Sequence, residues 1–144
     1  MIHTLTVTQD PRTVVVGFNG SDHARRAALG AAEIAGPGGR LIVVIVTEPS
    51  QAVGARIQDI EPQKRAHADD LVSEAQALLR STCATMETEG RIGDPAEQIL
   101  SASKERAADL IAVGRGGHRP LVPLHKSVTD RVVREASVPV VVVP

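Results

Sequence analysis

The amino-acid sequence predicts an α/β domain in which a parallel β-sheet is covered by helices on both faces. Four short runs are continuously apolar and rich in β-branched residues, which is typical of strands buried on both sides: residues 13–18, 41–46, 109–114 and 138–143. Segments with helical spacing of apolar residues lie between these runs. Because strands and helices alternate along the chain, we expect right-handed crossovers and one parallel sheet.

The first two helices are predicted from their start and stop signals. Ser21 or Asp22 caps the first helix, which runs to Ala35 and ends at a Gly-Pro-Gly-Gly segment. The second helix begins near Pro62 and continues to about Ser81, with leucines and alanines at helical spacing.

The last two helices and the two outer strands follow from similar signals. Asp94-Pro95 starts the third helix, since aspartate favours the cap and proline the first helical position. The fourth helix starts at Ser127, with an aspartate three residues later in an arrangement close to a capping box. Residues 84–92 are interpreted as an edge strand with alternating polar residues. Pro139 places the last strand at an edge, because proline cannot donate to a ladder.

The composition excludes several classes of function. With a net charge of −1, the chain has no field that would attract nucleic acid or an anionic membrane. Phe18 is its single aromatic residue, so bases cannot stack on aromatic platforms. Cys83 is its single cysteine, which excludes an intrachain disulfide and a cysteine-based zinc site.

The extent of the domain and its cellular location are also expected from the sequence. Residues 1–12 are polar and lack the pattern of a signal peptide, so we expect them to form an N-terminal extension and residues 13–144 to form the domain. No apolar run approaches the roughly 20 residues that span a bilayer. We therefore expect a cytoplasmic protein.

Sheets of this kind bind ligands outside the carboxyl ends of their strands, so the residues after each strand are candidates for a site. The first strand is followed by Gly17-Phe18-Asn19-Gly20-Ser21, in which Asn19 could hydrogen-bond a purine edge or a ribose. The alternative is that Asn19-Gly20 is a simple turn next to a helix cap. From spacing alone we favour this alternative.

The fourth strand is followed by a glycine-rich, basic loop, residues 114–127, that ends at a helix start. Free backbone N–H groups and the helix dipole suit this geometry to an anion, and Arg115, Arg119 and Lys126 add positive charge. Ser127 could donate its hydroxyl to a phosphate. The alternative is a solvated basic loop in which Ser127 is only a cap, and spacing does not decide between the two.

No arrangement of residues nominates a catalyst. His118 and His125 share a loop without a nearby carboxylate, and Cys83 has no activating neighbour in the sequence. His23 and His67 fall on predicted helices and are expected at the surface. We predict no metal site and no enzymatic activity.

Five segments taken together resemble the universal stress protein family over nearly the whole chain, from about Thr13 to Val143. They are, in order, VVVGFNGS, LIVVIVTEP, GDPAEQIL, DLIAVGRGG and SVTDRVVREASVPVVVVP. The resemblance implies a Rossmann-like three-layer sandwich whose five parallel strands have the order 3-2-1-4-5. It also implies a homodimer formed through the last strand, Val138–Val143.

The resemblance further implies a set of nucleotide contacts. Family members that bind ATP carry the pattern G-x2-G-x9-G-[ST] after the fourth strand and an aspartate after the first. Gly114 and Gly117 match the first two glycines, and Ser127 matches the phosphate-contacting serine. Val46 matches the position whose backbone meets adenine. The remaining implied contacts are Gly17, Phe18, Val113 and Val128.

Two residues depart from the family pattern. Asn19 stands where the aspartate is usual, and Lys126 stands where the third glycine is usual, in a loop that is one residue shorter. Asparagine still offers an oxygen and an amide. A side chain at position 126 either blocks the groove or pairs its charge with a phosphate.

Three hypotheses follow from the residues and the resemblance. The first is a stress-response sensor that binds ATP or another adenine nucleotide, with Mg²⁺ present only together with the nucleotide. The second is a dimeric interaction module with a degenerate groove that binds no nucleotide. The third is an ATP-hydrolysing enzyme, which has the least support because Asp22 is the only candidate base near the site. We favour the first.

Overall fold

The computed structural model describes residues 12–49, 61–82, 84–115 and 127–144. These residues form five strands and four helices: β1 (Thr13–Gly17), α1 (Asp22–Ala35), β2 (Arg40–Thr47), α2 (Pro62–Leu79), β3 (Thr85–Ile92), α3 (Pro95–Glu105), β4 (Leu110–Gly114), α4 (Val128–Glu135) and β5 (Val140–Val143). All strand pairs are parallel, and the order across the sheet is β3-β2-β1-β4-β5. The predicted class of fold is confirmed, and so is the strand order that the family resemblance implies.

The two outer strands lie where the sequence placed them, although one begins later than predicted. The strand predicted for residues 84–92 is β3, at one edge of the sheet. The last strand begins at Val140 rather than at Val138, because Pro139 has no N–H to donate. The Pro139 carbonyl instead accepts a hydrogen bond from the Ile111 N–H at 3.0 Å.

Each face of the sheet carries its own apolar core. Helices α1 and α2 cover one face, and α3 and α4 cover the other. On the second face, Ile99 of α3 and Val132 of α4 pack with Val15 and Ile111. The buried residues of α1 are all alanines: Ala24, Ala27, Ala28, Ala31, Ala32 and Ala35. These small side chains let α1 lie close to the sheet, so a chain with a single aromatic residue can still fill its core.

Side-chain caps begin three of the four helices, at residues that the sequence predicts. In α1 the cap is Ser21 rather than Asp22, and α3 and α4 are capped by Asp94 and Ser127. Each capping oxygen accepts a hydrogen bond from the N–H three residues further along, at 3.1, 3.0 and 3.3 Å respectively. A cap of this kind contributes about 1 kcal/mol. Helix α2 ends at Leu79, two residues before the predicted end.

Candidate functional site

The carboxyl ends of β1 and β4 form the switch point of the sheet. These two strands are neighbours, and the chain proceeds from them towards opposite edges. Doubly wound sheets bind ligands at such a point. We call the space bounded by Asn19 after β1, Val46 of β2, Gly114 of β4 and Ser127 at the start of α4 the switch-point crevice.

The turn from β1 into α1 is held by side chains. Asn19 Oδ1 accepts a hydrogen bond from the Ser21 N–H at 3.1 Å, and Gly20 has a φ of 81°, so Asn19-Gly20 forms the simple turn considered above. Arg25 Nε donates to the Gly20 carbonyl at 3.4 Å, and its guanidinium also pairs with Glu74 of α2. Within the described residues the Asn19 amide nitrogen has no hydrogen-bond partner. That amide is the group which Asn19 can offer to a ligand.

Three of the implied contacts lie at the floor of the crevice and offer it no functional side chain. The Phe18 side chain is buried in the core beneath α1 and α2, and Val113 is buried beneath α3 and α4. A Cβ on Gly17 would lie 2.5 Å from Ile99 Cδ1, so this glycine makes room for a side chain of α3. These residues can present only their main chain to a ligand.

The main-chain N–H and C=O of Val46 point towards the β1 side, beyond the last pair of residues that joins β1 to β2. The Phe18 N–H donates to the Val44 carbonyl at 2.9 Å, whereas the Gly93 N–H donates to the Thr47 carbonyl at 3.0 Å. Successive residues of a parallel strand direct their N–H and C=O groups to opposite sides. Val46, like Val44, therefore faces the β1 side, where the chain beyond Phe18 has turned into α1.

The consequence is a free donor and a free acceptor at the end of β2. The pairing of β1 with β2 ends at Gly17 and Val44, and no described residue forms a hydrogen bond to the Val46 N–H or C=O. The Val46 side chain is half-buried on the α3 face. One residue thus presents a donor and an acceptor side by side, an arrangement that suits the edge of a planar polar ligand.

Gly114 brings three elements together at the end of β4. Thr129 Oγ1 donates to the Gly114 carbonyl at 2.6 Å and so fixes the first turn of α4 beside the strand. A Cβ on Gly114 would lie 2.7 Å from the His23 carbonyl oxygen, so glycine allows α1 to pass at this distance. Ser127 caps α4 at the same place, followed by the exposed side chain of Val128. Sequence reasoning missed Thr129, although a second hydroxyl residue in the first turn of α4 was a signal for it.

The start of α4 is the electropositive wall of the crevice. The first N–H groups of a helix and its dipole favour a negative charge there. Arg131, one turn into the helix, pairs with Glu135 and also with Asp94, at 2.7 Å from the Asp94 Oδ2. The hydrogen bond to Glu135, followed by the charge of Asp94, raises the pKa of Arg131. Arg131 therefore stays charged and ties α4 to the cap of α3.

The crevice has two chemically different ends. Strand β1 separates Val46 from Gly114, so the two lie about two strand spacings, or 10 Å, apart. One end offers the donor and acceptor of Val46, and the other offers a helix N-terminus with the Ser127 hydroxyl. This arrangement suits a ligand that carries a planar polar group at one end and an anion at the other.

Several predicted residues lie outside the described residues. Gly117 and Lys126 are among them, together with His118, His125 and Cys83. Over the ranges that the structure does describe, no group of three or more His, Cys, Asp or Glu side chains is placed to hold a metal ion.

The strand order and the crevice at the switch point define a doubly wound α/β protein with a candidate site at the carboxyl edge of its sheet. A family model described as the universal stress protein family matches residues 11–144. The chain belongs to the universal stress protein family, and the resemblance found in the sequence is confirmed.

Relatives and solved structures agree with this membership. A universal stress protein of Thermus aquaticus is 35% identical over 139 residues, which cover 92% of this chain and 98% of the relative. One from Mycobacterium tuberculosis (strain H37Rv) is 32% identical over 140 residues, covering 92% and 95%. A universal stress protein solved in complex with cAMP matches with a TM-score of 0.75 and 27% identity, covering 92% of this chain and 97% of that one. No helix in the described part of this chain is long and apolar enough to cross a membrane.

Proposed function

We propose that the protein binds an adenine nucleotide in the switch-point crevice and acts as a stress-response sensor. The N–H and C=O of Val46, which no described residue binds, carry this proposal. An adenine edge presents an acceptor nitrogen beside its amino donor, so it complements that pair of groups. The cAMP complex of a universal stress protein 27% identical to this chain supports the same class of ligand here.

The opposite end of the crevice suits the phosphates. The Ser127 hydroxyl, the first N–H groups of α4 and the main chain at Gly114 belong to this end. In the proposed complex Gly117 completes the phosphate site, as in the family pattern, and the Lys126 ammonium pairs with a phosphate. The free amide of Asn19 binds the ribose, since the turn already uses its oxygen. Mg²⁺ enters only with the nucleotide.

Isothermal titration of ATP into purified and dialysed protein, with and without Mg²⁺, tests this proposal. We expect saturable binding with a dissociation constant in the micromolar range, about −8 kcal/mol. A Lys126→Gly variant is titrated beside it. Binding by the variant alone would mean that the lysine side chain closes the groove. No binding by either protein, at concentrations up to millimolar, would contradict the proposal.

We propose that the crevice binds the nucleotide without hydrolysing it. Asp22, the candidate base in the sequence, is an exposed residue in the first turn of α1 and not its cap. Phosphate release from ATP, followed colorimetrically in the titration samples, is expected to stay at the background rate. Release above background that disappears in a Ser127→Ala variant would show a hydrolase instead.

A dimeric interaction module that binds no nucleotide is the second candidate function, and the surface around β5 favours it. β5 is an outer strand of four valines, and Val142 is 42% exposed. Exposed apolar side chains also lie on the two helices that contact β5, with Leu29 of α1 at 41% and Val133 of α4 at 48%. An apolar outer strand can pair with the same strand of a second copy. This homodimer is compatible with either function.

A charge at Val142 should break the proposed dimer. Val142→Arg would place a guanidinium where two copies of β5 meet, and we expect the dimer dissociation constant to rise at least about a hundredfold. Sedimentation velocity over a concentration series measures this. Ala77→Arg, on the exposed face of α2, is the control and should leave the association unchanged. A dimer that survives Val142→Arg would place the interface elsewhere.

A further inference from the structure

The two outer strands of the described sheet differ in length and in charge. β3 has eight residues, and Glu87, Glu89 and Arg91 alternate along one side of it. These side chains lie on the face of the sheet that α3 covers, because Arg91 binds Gln98 and Glu105 of that helix. β5 has four residues, all of them valine. The longer edge, which offers more main-chain groups to another strand, is therefore the charged one.

Six side chains of alternating sign form a continuous row beside β3, which we call the charge row. Its members, in spatial order, are Arg40, Glu87, Arg106, Glu89, Arg91 and Glu105. The nitrogen–oxygen distances between successive members are 2.5, 3.0, 2.8, 2.5 and 2.8 Å. Three arginines and three glutamates make the row neutral as a whole. Each inner member has an oppositely charged neighbour on both sides.

The centre of the charge row is partly withdrawn from water. The side chains of Arg91 and Glu89 are 16% and 19% exposed, whereas the outermost glutamate, Glu105, is 62% exposed. Hydrogen bonds from Arg40 and Arg106 lower the pKa of Glu87, and the hydrogen bond from Arg91 lowers the pKa of Glu105. These carboxylates are charged at neutral pH, and both side chains remain partly exposed to water.

The main-chain groups available at the β3 edge can be assigned. Thr85 and Gly93 donate their N–H groups to the carbonyls of Gly39 and Thr47, at 2.9 and 3.0 Å. Odd-numbered residues of β3 therefore face β2, and the even-numbered residues direct their N–H and C=O groups outward. A strand added there would lie about 4.8 Å from β3 and would displace water from the partly exposed side chains of the charge row. Removing that water is costly unless the new strand supplies matching charges.

We propose that the charge row closes the β3 edge to pairing with a second copy, so that self-association is confined to β5 and stops at the dimer. The limit at the dimer rests on the β5 dimer proposed above. A dimer formed at one edge has two copies of the other edge still open, and pairing there would link dimers into an open-ended assembly. The charge row prevents this second pairing. Inward-facing charges on a strand are a recognised protection of sheet edges.

A variant with Glu87→Thr, Glu89→Thr, Arg91→Thr and Arg106→Thr, called the threonine variant, tests the proposal because it removes equal numbers of acidic and basic side chains from the charge row. Threonine favours a strand and adds little apolar surface, so the variant removes the charges without making the edge hydrophobic. In sedimentation velocity over a concentration series, we expect its weight-average mass to reach at least about twice that of the natural protein. Asp69→Asn with Asp70→Asn, on the exposed face of α2, is the control because it removes charges away from the edge of the sheet. The control should keep the natural mass.

A further substitution shows whether β3 itself forms the new contact. Gly90 directs its N–H outward, and a Cβ there meets nothing within 4 Å. Adding Gly90→Pro to the threonine variant removes one outward donor, and the mass should return to that of the natural protein. Circular dichroism confirms that each variant is folded. If the threonine variant is unfolded, a variant with glutamine at the same four positions replaces it.

A folded threonine variant that keeps the natural mass would overturn the proposal. Larger species that Gly90→Pro does not reverse would overturn it as well, because they would show non-specific aggregation. The β5 dimer is tested separately. If the natural protein is a monomer, the dimer proposal fails, yet the threonine variant should still pair through β3.

Discussion

Replacing Ser127 with aspartate should strongly weaken nucleotide binding while leaving the stability of the protein unchanged. Aspartate is as good a helix cap as serine, and its charge is favourable at a helix N-terminus, so α4 should keep its start. The same carboxylate would stand at the proposed phosphate position and repel the ligand. We expect the affinity for ATP to fall on the order of a hundredfold, or about 2.7 kcal/mol.

Two controls separate this charge effect from the loss of a contact. Ser127→Asn has the shape of the aspartate and also caps a helix, but it carries no charge, so it should keep most of the affinity. Adenosine, which lacks phosphate, should bind the aspartate variant and the natural protein equally. Calorimetric titration gives the affinities, and thermal unfolding gives the stability. ATP binding that is unchanged in Ser127→Asp would move the phosphates away from α4.

Replacing Gly39 with alanine should destabilise the fold strongly. A Cβ at this position would lie 2.1 Å from the Ala35 carbonyl oxygen and 3.0 Å from the Arg12 carbonyl oxygen. Both are main-chain atoms, so they cannot move away by a change of rotamer as side-chain atoms can. We expect a loss of about 3 kcal/mol in the free energy of unfolding, and a melting temperature lower by roughly 10 °C.

The matched control is the same substitution on the β3 edge. A Cβ on Gly90 meets no atom within 4 Å, so Gly90→Ala should change the free energy of unfolding by less than about 0.5 kcal/mol or raise it slightly. Denaturant titration followed by circular dichroism measures both variants. Equal stabilities would mean that the turn between α1 and β2 can shift to admit a side chain at Gly39.

The order of the elements was predictable because its signals are local. A buried parallel strand appears in the sequence as a short run of β-branched residues, and a helix start appears as a cap within three residues of the N–H that it binds. Ser21, Asp94 and Ser127 form those bonds in the structure. The start of β5 was placed two residues too early, since the apolar run continues through Pro139 although the pairing does not.

The candidate site was predictable only in part. Gly114 and Ser127 could be proposed because a glycine after a buried strand and a serine before a helix are visible in the chain. The role of Asn19 in a turn could be weighed but not decided, because spacing does not show which of its amide atoms is occupied. The Phe18 side chain belongs to the core, so this residue can offer the proposed site only its main chain. No pattern in the sequence shows towards which face of the sheet the residue after a strand directs its side chain.

By itself, the sequence determined the alternation of strands and helices, the helix caps and membership in the universal stress protein family. Each depends on residues close together in the chain or on the pattern of the whole chain. Only the tertiary structure decided that no described residue binds the N–H or C=O of Val46, that Thr129 binds the carbonyl at the end of β4, and that Glu87 pairs with Arg40 of β2 and with Arg106 just after α3. These features depend on where neighbouring strands end and on which distant side chains converge. Hydrophobic periodicity, which reports only whether a position is buried, carries no information about either.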